Sequence, residues 1–441
     1  MSDTIYAVSS GIGRAGVAVI RISGPQARTI GEAMAGALPA DRTIGYSSLR
    51  DPVSGDVLDR GLVLWFATPR SFTGEDCLEF QIHGGRAVIA AVSRAIGTFQ
   101  SCRPAQPGEF TKRAFLNGKM DLTSVEGLAD LIDSDTELQR QQAMRQYEGG
   151  LARRVDGWRL QLIELMALVE ASIDFADEGE APAFKPQAIV DELERMRSEV
   201  RAALATSRHG EIVREGFVVL ISGPPNAGKS SLLNAIAQRD VAIVSDIPGT
   251  TRDLVEVLID LDGVPVVLVD SAGIRETDDP VERIGIDRVR RRAEHADLVL
   301  WLSEAKSDDA GAEAYQRDGR PLVLVRTKAD RPRHTAPDGS QLSISARTGE
   351  GLPDLIGLIR SSVSDLDKHG EPAIVTNDRQ RLVLLDAEAE LGRAMAAAPL
   401  GQPELLAEEL RRCAMAFARI SGKVGVEDLL DSIFARFCFG K

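Results

Sequence analysis

FVVLISGPPNAGKSS, residues 217–231, is a β-branched apolar run that breaks into a glycine-rich loop ending in Lys-Ser-Ser. The pattern G-x-x-x-x-G-K-S is complete in Gly223, Gly228, Lys229 and Ser230. Its order follows from its chemistry. A strand delivers the chain, and glycines let successive backbone N–H groups curl around a phosphate chain. The lysine reaches the β- and γ-phosphates, and the serine hydroxyl ligates Mg²⁺. SLLNAIA (231–237) follows as a helix whose N-terminal dipole faces the anion. Asn226, Ala227 and Ser231 complete the predicted cradle.

Further motifs specify the nucleotide. G-T-T-R-D (249–253) offers a threonine to close over Mg²⁺ and the γ-phosphate as a first switch. LIDLDGVPVVLVD (258–270) reads as two short strands about a turn, ending in Asp270, Ser271, Ala272 and Gly273. That is a Walker B aspartate with a glycine placed to sense the γ-phosphate. PLVLVRTKAD (321–330) is another strand, leading into Thr327, Lys328, Ala329 and Asp330. A carboxylate at Asp330 accepts two N–H bonds from a guanine edge, which adenine cannot supply. SISAR (343–347), with Ser345, Ala346 and Arg347, supplies a backbone N–H for guanine O6. Each motif is short, but four in this order, each after an apolar strand, predict a Ras-like GTP-binding domain. One position departs from the pattern: Thr327 stands where asparagine is usual, which predicts weaker guanine affinity.

At 441 residues the chain exceeds one ordinary core, so two or three domains are expected. Hydrophobic residues are 44%, and no apolar run approaches the ~20 residues that span a bilayer. The opening MSDTIYAV lacks a basic stretch before an apolar core, so no signal peptide is expected. Cys77, Cys102, Cys413 and Cys438 lack metal-like spacing and read as reduced cytoplasmic thiols. A net charge of −14 argues against wholesale coating of nucleic acid, though not against a local basic patch.

Residues 1–118 mix strands (TIYAVSS, VAVIRIS, GLVLWFA, CLEFQIH) with helices over 31–38 and 87–99, an α/β domain of its own. GIGRAG (11–16) matches a dinucleotide fingerprint, but a strand-like segment follows where a helix is required. From 119 to 213 the texture is helical. Thr123-x-x-Glu126 reads as a capping box, Pro is absent from 108 to 181, and DFADEGEAP (174–182) is a solvated acidic loop. The GTPase segment spans 214–365, and 366–441 is helical again, with breaks near Pro399 and Pro403. Helices on both sides suggest one helical domain with the GTPase inserted in it, a multidomain α/β plus all-α chain.

Ile274 sits where a water-orienting glutamine would follow the D-x-x-G motif. Hydrolysis must then borrow Glu276, Asp278, Asp279 or Glu282, and the residues alone do not choose among them. Arg252 and Arg275 lie in the two switches, either as charge stabilisers or as solvated side chains. The Asn226 amide, beside carbonyls of a folded first switch, could hold a monovalent cation.

VIRISG (19–24), SFTGEDCLEFQIHGG (71–85), RPAQPGEFTKRAFLNGKMDL (103–122), DIPGTTRD (246–253), VERIGI (281–286) and the terminal FCFGK (437–441) together resemble the MnmE (TrmE) family of bacterial tRNA-modification GTPases, end to end. The resemblance implies a dimerising N-terminal domain in which Arg21, Glu79, Lys119 and Lys441 contact 5-formyl-tetrahydrofolate. It implies K⁺ on Asn226, Thr250 and the carbonyls of Ser245 and Ile247, within a first switch that includes Asp246, Pro248 and Gly249. Mg²⁺ would lie on Ser230 and Thr251, and Glu282 would position the attacking water. Cys438 matches a cysteine needed for modification, and a buried helix-end thiol is its equally open alternative.

The expected activity is that of a K⁺-activated, homodimeric GTPase. With a flavoprotein resembling MnmG, it would place an aminomethyl or carboxymethylaminomethyl group on C5 of the wobble uridine of certain tRNAs. Rivals are a ribosome-assembly GTPase of the Era/EngA type and a signalling switch with scaffold flanks. No GxxG clamp in a suitable setting supports the former, and FCFGK and the 103–122 motif speak against both.

Overall fold

The computed structural model describes residues 3–11, 13–174, 186–239, 256–271, 293–317, 319–331, 342–364, 372–424, 434, 437 and 440. They fall into two compact units. One comprises Met1–Ala129, Gln146–Phe184 and Gln402–Lys441, the other Asp130–Arg145 and Lys185–Gly401.

The first unit is built on a six-stranded sheet. Its strands are β1 (Thr4–Val8), β2 (Ala15–Ser23), β3 (Ile44–Arg50), β4 (Val57–Phe66), β5 (Cys77–Gly84) and β6 (Cys102–Pro104), in the order β3-β4-β5-β2-β1-β6. Neighbours run antiparallel except β1 and β6. Alternation along the strands sends Ile20, Ile22, Val63, Trp65, Leu78 and Phe80 to one face. There they meet Ala27, Ile30 and Met34 of α1 (Ala27–Ala35) and Val92, Ala95 and Ile96 of α2 (Arg86–Ile96). The chain enters β2 at Ala15, inside GIGRAG, so no dinucleotide-binding helix stands there. The exposed edge strand β3 was absent from the sequence expectation.

Helix α3 (Glu109–Leu116) carries the middle of the 103–122 motif, and α4 (Leu122–Ile132) begins one residue before Thr123. This corrects the expected cap. Asp121, not Thr123, is the capping residue: its Oδ1 accepts from Ser124 N at 2.9 Å and Thr123 Oγ1 at 2.7 Å, while its carbonyl accepts from Val125 N. A carboxylate three residues before the satisfied N–H does the work assigned to the threonine. Helices α5 (Glu137–Tyr147) and α6 (Gly150–Asp174) follow.

In the second unit, α7 (Pro186–Ala205) and α8 (Ser207–Glu215) lead into another six-stranded sheet, of β7 (Phe217–Ser222), β8 (Glu256–Leu261), β9 (Val264–Asp270), β10 (Leu298–Ser303), β11 (Leu322–Arg326) and β12 (Leu342–Ser343). The order is β12-β11-β10-β7-β9-β8, parallel except for the edge strand β8. Helix α9 (Lys229–Ala237) lies between β7 and β8 in the chain, α10 (Ala312–Arg317) between β10 and β11, and α11 (Leu352–Ser364) after β12. β7 is buried along its whole length, as a strand covered on both faces must be. The β8–β9 hairpin turns through Asp262 (φ 58°) and Gly263 (φ 90°), the two left-handed residues that suit a right-twisted hairpin. β10, DLVLWLS in its sequence setting, went unread although it is central; its continuous burial removes any alternation.

The remaining helices pair within the units. α12 (Asp378–Ala397), which buries Leu384, Ala387 and Leu391, packs on α7, which buries Leu193, Met196 and Val200, with Arg197 Nε 2.6 Å from Glu388. α13 (Pro403–Ile420) packs on α6, where the Phe417 and Trp158 rings lie 5.4 Å apart.

Candidate functional site

The P-loop leaves the buried end of β7 and turns through Gly223 (φ 146°), Asn226 (φ 63°) and Gly228 (φ 96°) before α9 starts at Lys229. A Cβ on Gly223 would lie 2.2 Å from Leu302 O, so the close approach of loop and β10 demands glycine. Lys229, only 9% exposed, folds over the loop and donates to Gly223 O at 2.9 Å and Pro224 O at 3.0 Å. Ser230 Oγ donates to Asp270 Oδ2 at 2.6 Å, joining the first residues of α9 to the last residue of β9. Asp270 is 2% exposed. Two hard oxygen donors are thereby held together beside the lysine.

The base-reading motifs converge at the ends of the next strands. Asp330 Oδ1 accepts from Ser345 Oγ at 2.7 Å, and Arg347 lies 2.9 Å from its Oδ2. The serine hydroxyl, with Arg347 behind it, holds the carboxyl below its usual range, so it stays an acceptor. Ala329 N donates to Ile344 O, tying the two loops together. Lys328, itself left-handed at φ 61°, reaches Asn226 O in the P-loop at 2.8 Å and pairs with Glu304. Thr327 is 5% exposed; its N–H bonds Ser303 O at 2.9 Å, while its hydroxyl lies 3.5 Å from the same oxygen. Glu304 was missed from the sequence. An acid directly after a buried strand, opposite a motif lysine, was the signal available.

In the first unit Arg21 and Glu79 face each other across β2 and β5, Nε to Oε1 2.8 Å. The Arg21 guanidinium lies 5.1 Å from the Phe72 ring centre and 5.8 Å from that of Phe110. Lys119 Nζ donates to Pro69 O at 3.0 Å, on the loop that also carries Phe72. Ser9 Oγ donates to Gly440 O at 2.8 Å, and a Cβ on Gly440 would lie 2.1 Å from Val8 O. Gly440 therefore rests against the end of β1, whose Ala7 pairs with Arg21.

The charges of the 103–122 motif have a structural use the sequence did not announce. Arg113, with no exposed surface, lies 3.0 Å from Asp3, 3.1 Å from Glu75 and 3.1 Å from Glu109. Arg103 bonds Asp3 at 2.7 Å and Glu109 at 2.6 Å. Burial pushes the Glu109 carboxyl up, but the bonds from Arg103, Gln106 N and Arg113 outweigh it and hold it below its usual range. The motif thus fastens α3 to the start of β1 and to the 68–76 loop.

Among the expected residues, Asn226, Ala227, Gly228, Lys229, Ser230, Ser231, Asp270, Ser271, Thr327 to Asp330, Ser345 to Arg347, Arg21, Glu79 and Lys119 are described. Glu282, Ser245 to Thr251, Ala272, Gly273, Cys438 and Lys441 lie outside the described residues.

A P-loop at the end of a central parallel strand, with an aspartate from the adjoining strand on its serine, defines a P-loop nucleotide-binding protein. The family model "GTP-binding protein TrmE N-terminus" matches residues 4–119, and "MnmE helical domain" matches 122–438, a span that encloses the P-loop sheet. The chain is 51% identical over 446 residues to the tRNA modification GTPase MnmE of Methylobacterium sp. (strain 4-46), covering 100% of both. It is 50% identical over 441 residues to that of Methylorubrum populi, covering 100% of this chain and 98% of the relative. The chain belongs to the MnmE family of tRNA modification GTPases.

Proposed function

We propose that this GTPase of tRNA modification is activated by K⁺ and works as a homodimer with an MnmG-like flavoprotein. Together they add an aminomethyl or carboxymethylaminomethyl group to C5 of the wobble uridine of certain tRNAs. The observation that carries the nucleotide half is the meeting of two chemistries along one sheet edge. Lys229 and the Ser230–Asp270 pair serve phosphate and cation, and Asp330, fixed by Ser345, serves the guanine edge.

The residues fit their groups. Ser230 and Asp270 are the hard oxygen donors Mg²⁺ prefers, and Mg²⁺ supplies charge neutralisation at the β- and γ-phosphates. Asn226, in a left-handed turn beside the lysine, offers an amide oxygen for K⁺, with Thr250 and the Ser245 and Ile247 carbonyls as partners. Thr251 would join the Mg²⁺ shell, and Glu282 would orient the attacking water, since Ile274 cannot. Arg21 and Glu79 present a donor and an acceptor beside two aromatic rings, which suits the flat, amine-bearing pteridine of 5-formyl-tetrahydrofolate. Lys119 and Lys441 complete that set.

The exposed β3–β4 part of the N-terminal sheet supports the homodimer: Ile44, Tyr46 and Leu62 are 63%, 70% and 36% exposed on these adjacent strands. Among the described residues no helix is long and apolar enough to cross a membrane. A tRNA substrate places the proposed site of action in the cytoplasm.

The test is GTP turnover in KCl against NaCl for the parent and Asn226→Ala. Stimulation by K⁺ in the parent, lost in the variant with nucleotide binding retained, is expected. Equal turnover in both salts removes the cation from the reading.

A further inference from the structure

Thr327 opens the base-reading loop with a hydroxyl that lies 3.5 Å from Ser303 O, too long to do much. The loop is nonetheless tied down, by the residue before it. Arg326, 5% exposed at the end of β11, sends two parallel bonds to Asp309, Nη1–Oδ1 and Nη2–Oδ2 both 2.6 Å. Ser303, fully buried at the end of β10, accepts from Arg326 Nη1 and donates to Asp309 Oδ1 at 2.8 Å. The three side chains close a ring across two strand ends. Arg326 also spans to the third strand: its carbonyl accepts Ile344 N at 2.8 Å, one residue before Ser345. Ser345 in turn fixes Asp330.

We infer that Arg326, gripped by Asp309, is a positioning residue for guanine recognition, and that this clamp substitutes for the side-chain bonds an asparagine at position 327 would make. An asparagine amide brings two donors and an acceptor to the junction of the loops, and threonine brings one hydroxyl. The bidentate guanidinium–carboxylate pair, buried and directional, supplies the missing restraint from the neighbouring position. Its effect falls on Asp330 through Ser345 and the strand ends, not on the phosphates, which Lys229 and Ser230 serve from β7 and α9.

The inference rests on the guanine-nucleotide reading, and the experiment separates the two. Affinity for GDP and for inosine diphosphate, which lacks the 2-amino group that Asp330 accepts from, is measured on the full chain with Mg²⁺. The proteins are the parent, Asp309→Asn, Arg326→Lys and Asp309→Asn with Thr327→Asn, and melting of each serves as a control. Asp309→Asn should cut the GDP preference roughly fivefold or more while inosine diphosphate affinity holds. Arg326→Lys, which keeps the charge but loses the fork, should fall between. Thr327→Asn should restore much of the preference in the Asp309→Asn background. An unchanged preference in folded Asp309→Asn and Arg326→Lys overturns the clamp, as does an equal loss for both nucleotides. Should Asp309→Asn not fold, Arg326→Lys decides alone. A parent with no preference for GDP sinks the guanine reading instead.

Discussion

At the scale of single residues, placement was legible where a motif fixes both type and spacing. Ser230 meets Asp270 as their order required, Lys229 folds back on the loop carbonyls, and Asp330 finds Ser345. The pairings of Lys328 with Glu304 and of Arg326 with Asp309 were not legible, because each joins separate stretches of chain and no local spacing encodes them. Asp330 supports a sharp prediction. Ionised, it would accept both N–H groups of the guanine edge under the proposed function; an amide there offers one donor and one acceptor. Asp330→Asn should therefore weaken GTP and favour xanthosine triphosphate, whose 2-oxygen replaces the amino donor. Competition between the two nucleotides measures this, and an unchanged preference for GTP would remove Asp330 from the base-reading role. Its depressed pKa means the carboxylate stays ionised through the neutral range, so the preference should not vary there with pH.

At the scale of elements, strands with one solvated or one motif-bearing end were readable, and those without were not. β7 and β11 announce themselves by the loops they deliver. β10 has six buried residues and no motif, and β3 has exposed Ile44 and Tyr46 that blur its pattern. Helix starts followed the same logic: Asp121 and Thr123 both fit a cap, and only the bond to Ser124 N decides. The element with the sharpest energetic consequence is α3. Its Arg113 has no exposed surface, and Asp3, Glu75 and Glu109 depend on it. Arg113→Met keeps most of the volume but strands these partly buried carboxylates, a loss of about 3–5 kcal/mol. Chemical denaturation should show that loss, and a change under ~1 kcal/mol would mean that Arg103 alone suffices. The sign with pH follows from Asp3 and Glu109, whose folded pKa values are depressed. Their contribution is present above about pH 4.5 and disappears as pH falls through the lower, folded values. The variant should lose stability less steeply than the parent on acidification.

At the scale of the whole molecule, the sequence told which segments are helical but not which helices pair, because α6 meets α13 and α7 meets α12 across hundreds of residues. Nor does local spacing encode that Gly440 lies against Val8 and Ser9. That contact makes the proposed one-carbon site separable from hydrolysis. Arg21, Glu79 and the residue before Lys441 belong to the first compact unit, while Lys229, Ser230, Asp270 and Asp330 belong to the second. Deleting Lys441, or replacing Arg21 by Ala, should abolish 5-formyl-tetrahydrofolate binding and tRNA modification and spare GTP turnover. Each cation removed takes away charge-assisted hydrogen bonds worth about 1.5–3 kcal/mol, an order of magnitude or more in affinity. Arg21→Ala also leaves Glu79 without its partner, so Arg21→Lys is the companion variant that keeps the charge and loses the planar fork. Folate titration of each variant, with GTP turnover measured on the same preparations, checks the separation. Full folate affinity in both Arg21→Ala and the Lys441 deletion would dissolve the site, and parallel loss of GTP turnover would trace the defect to folding of the chain.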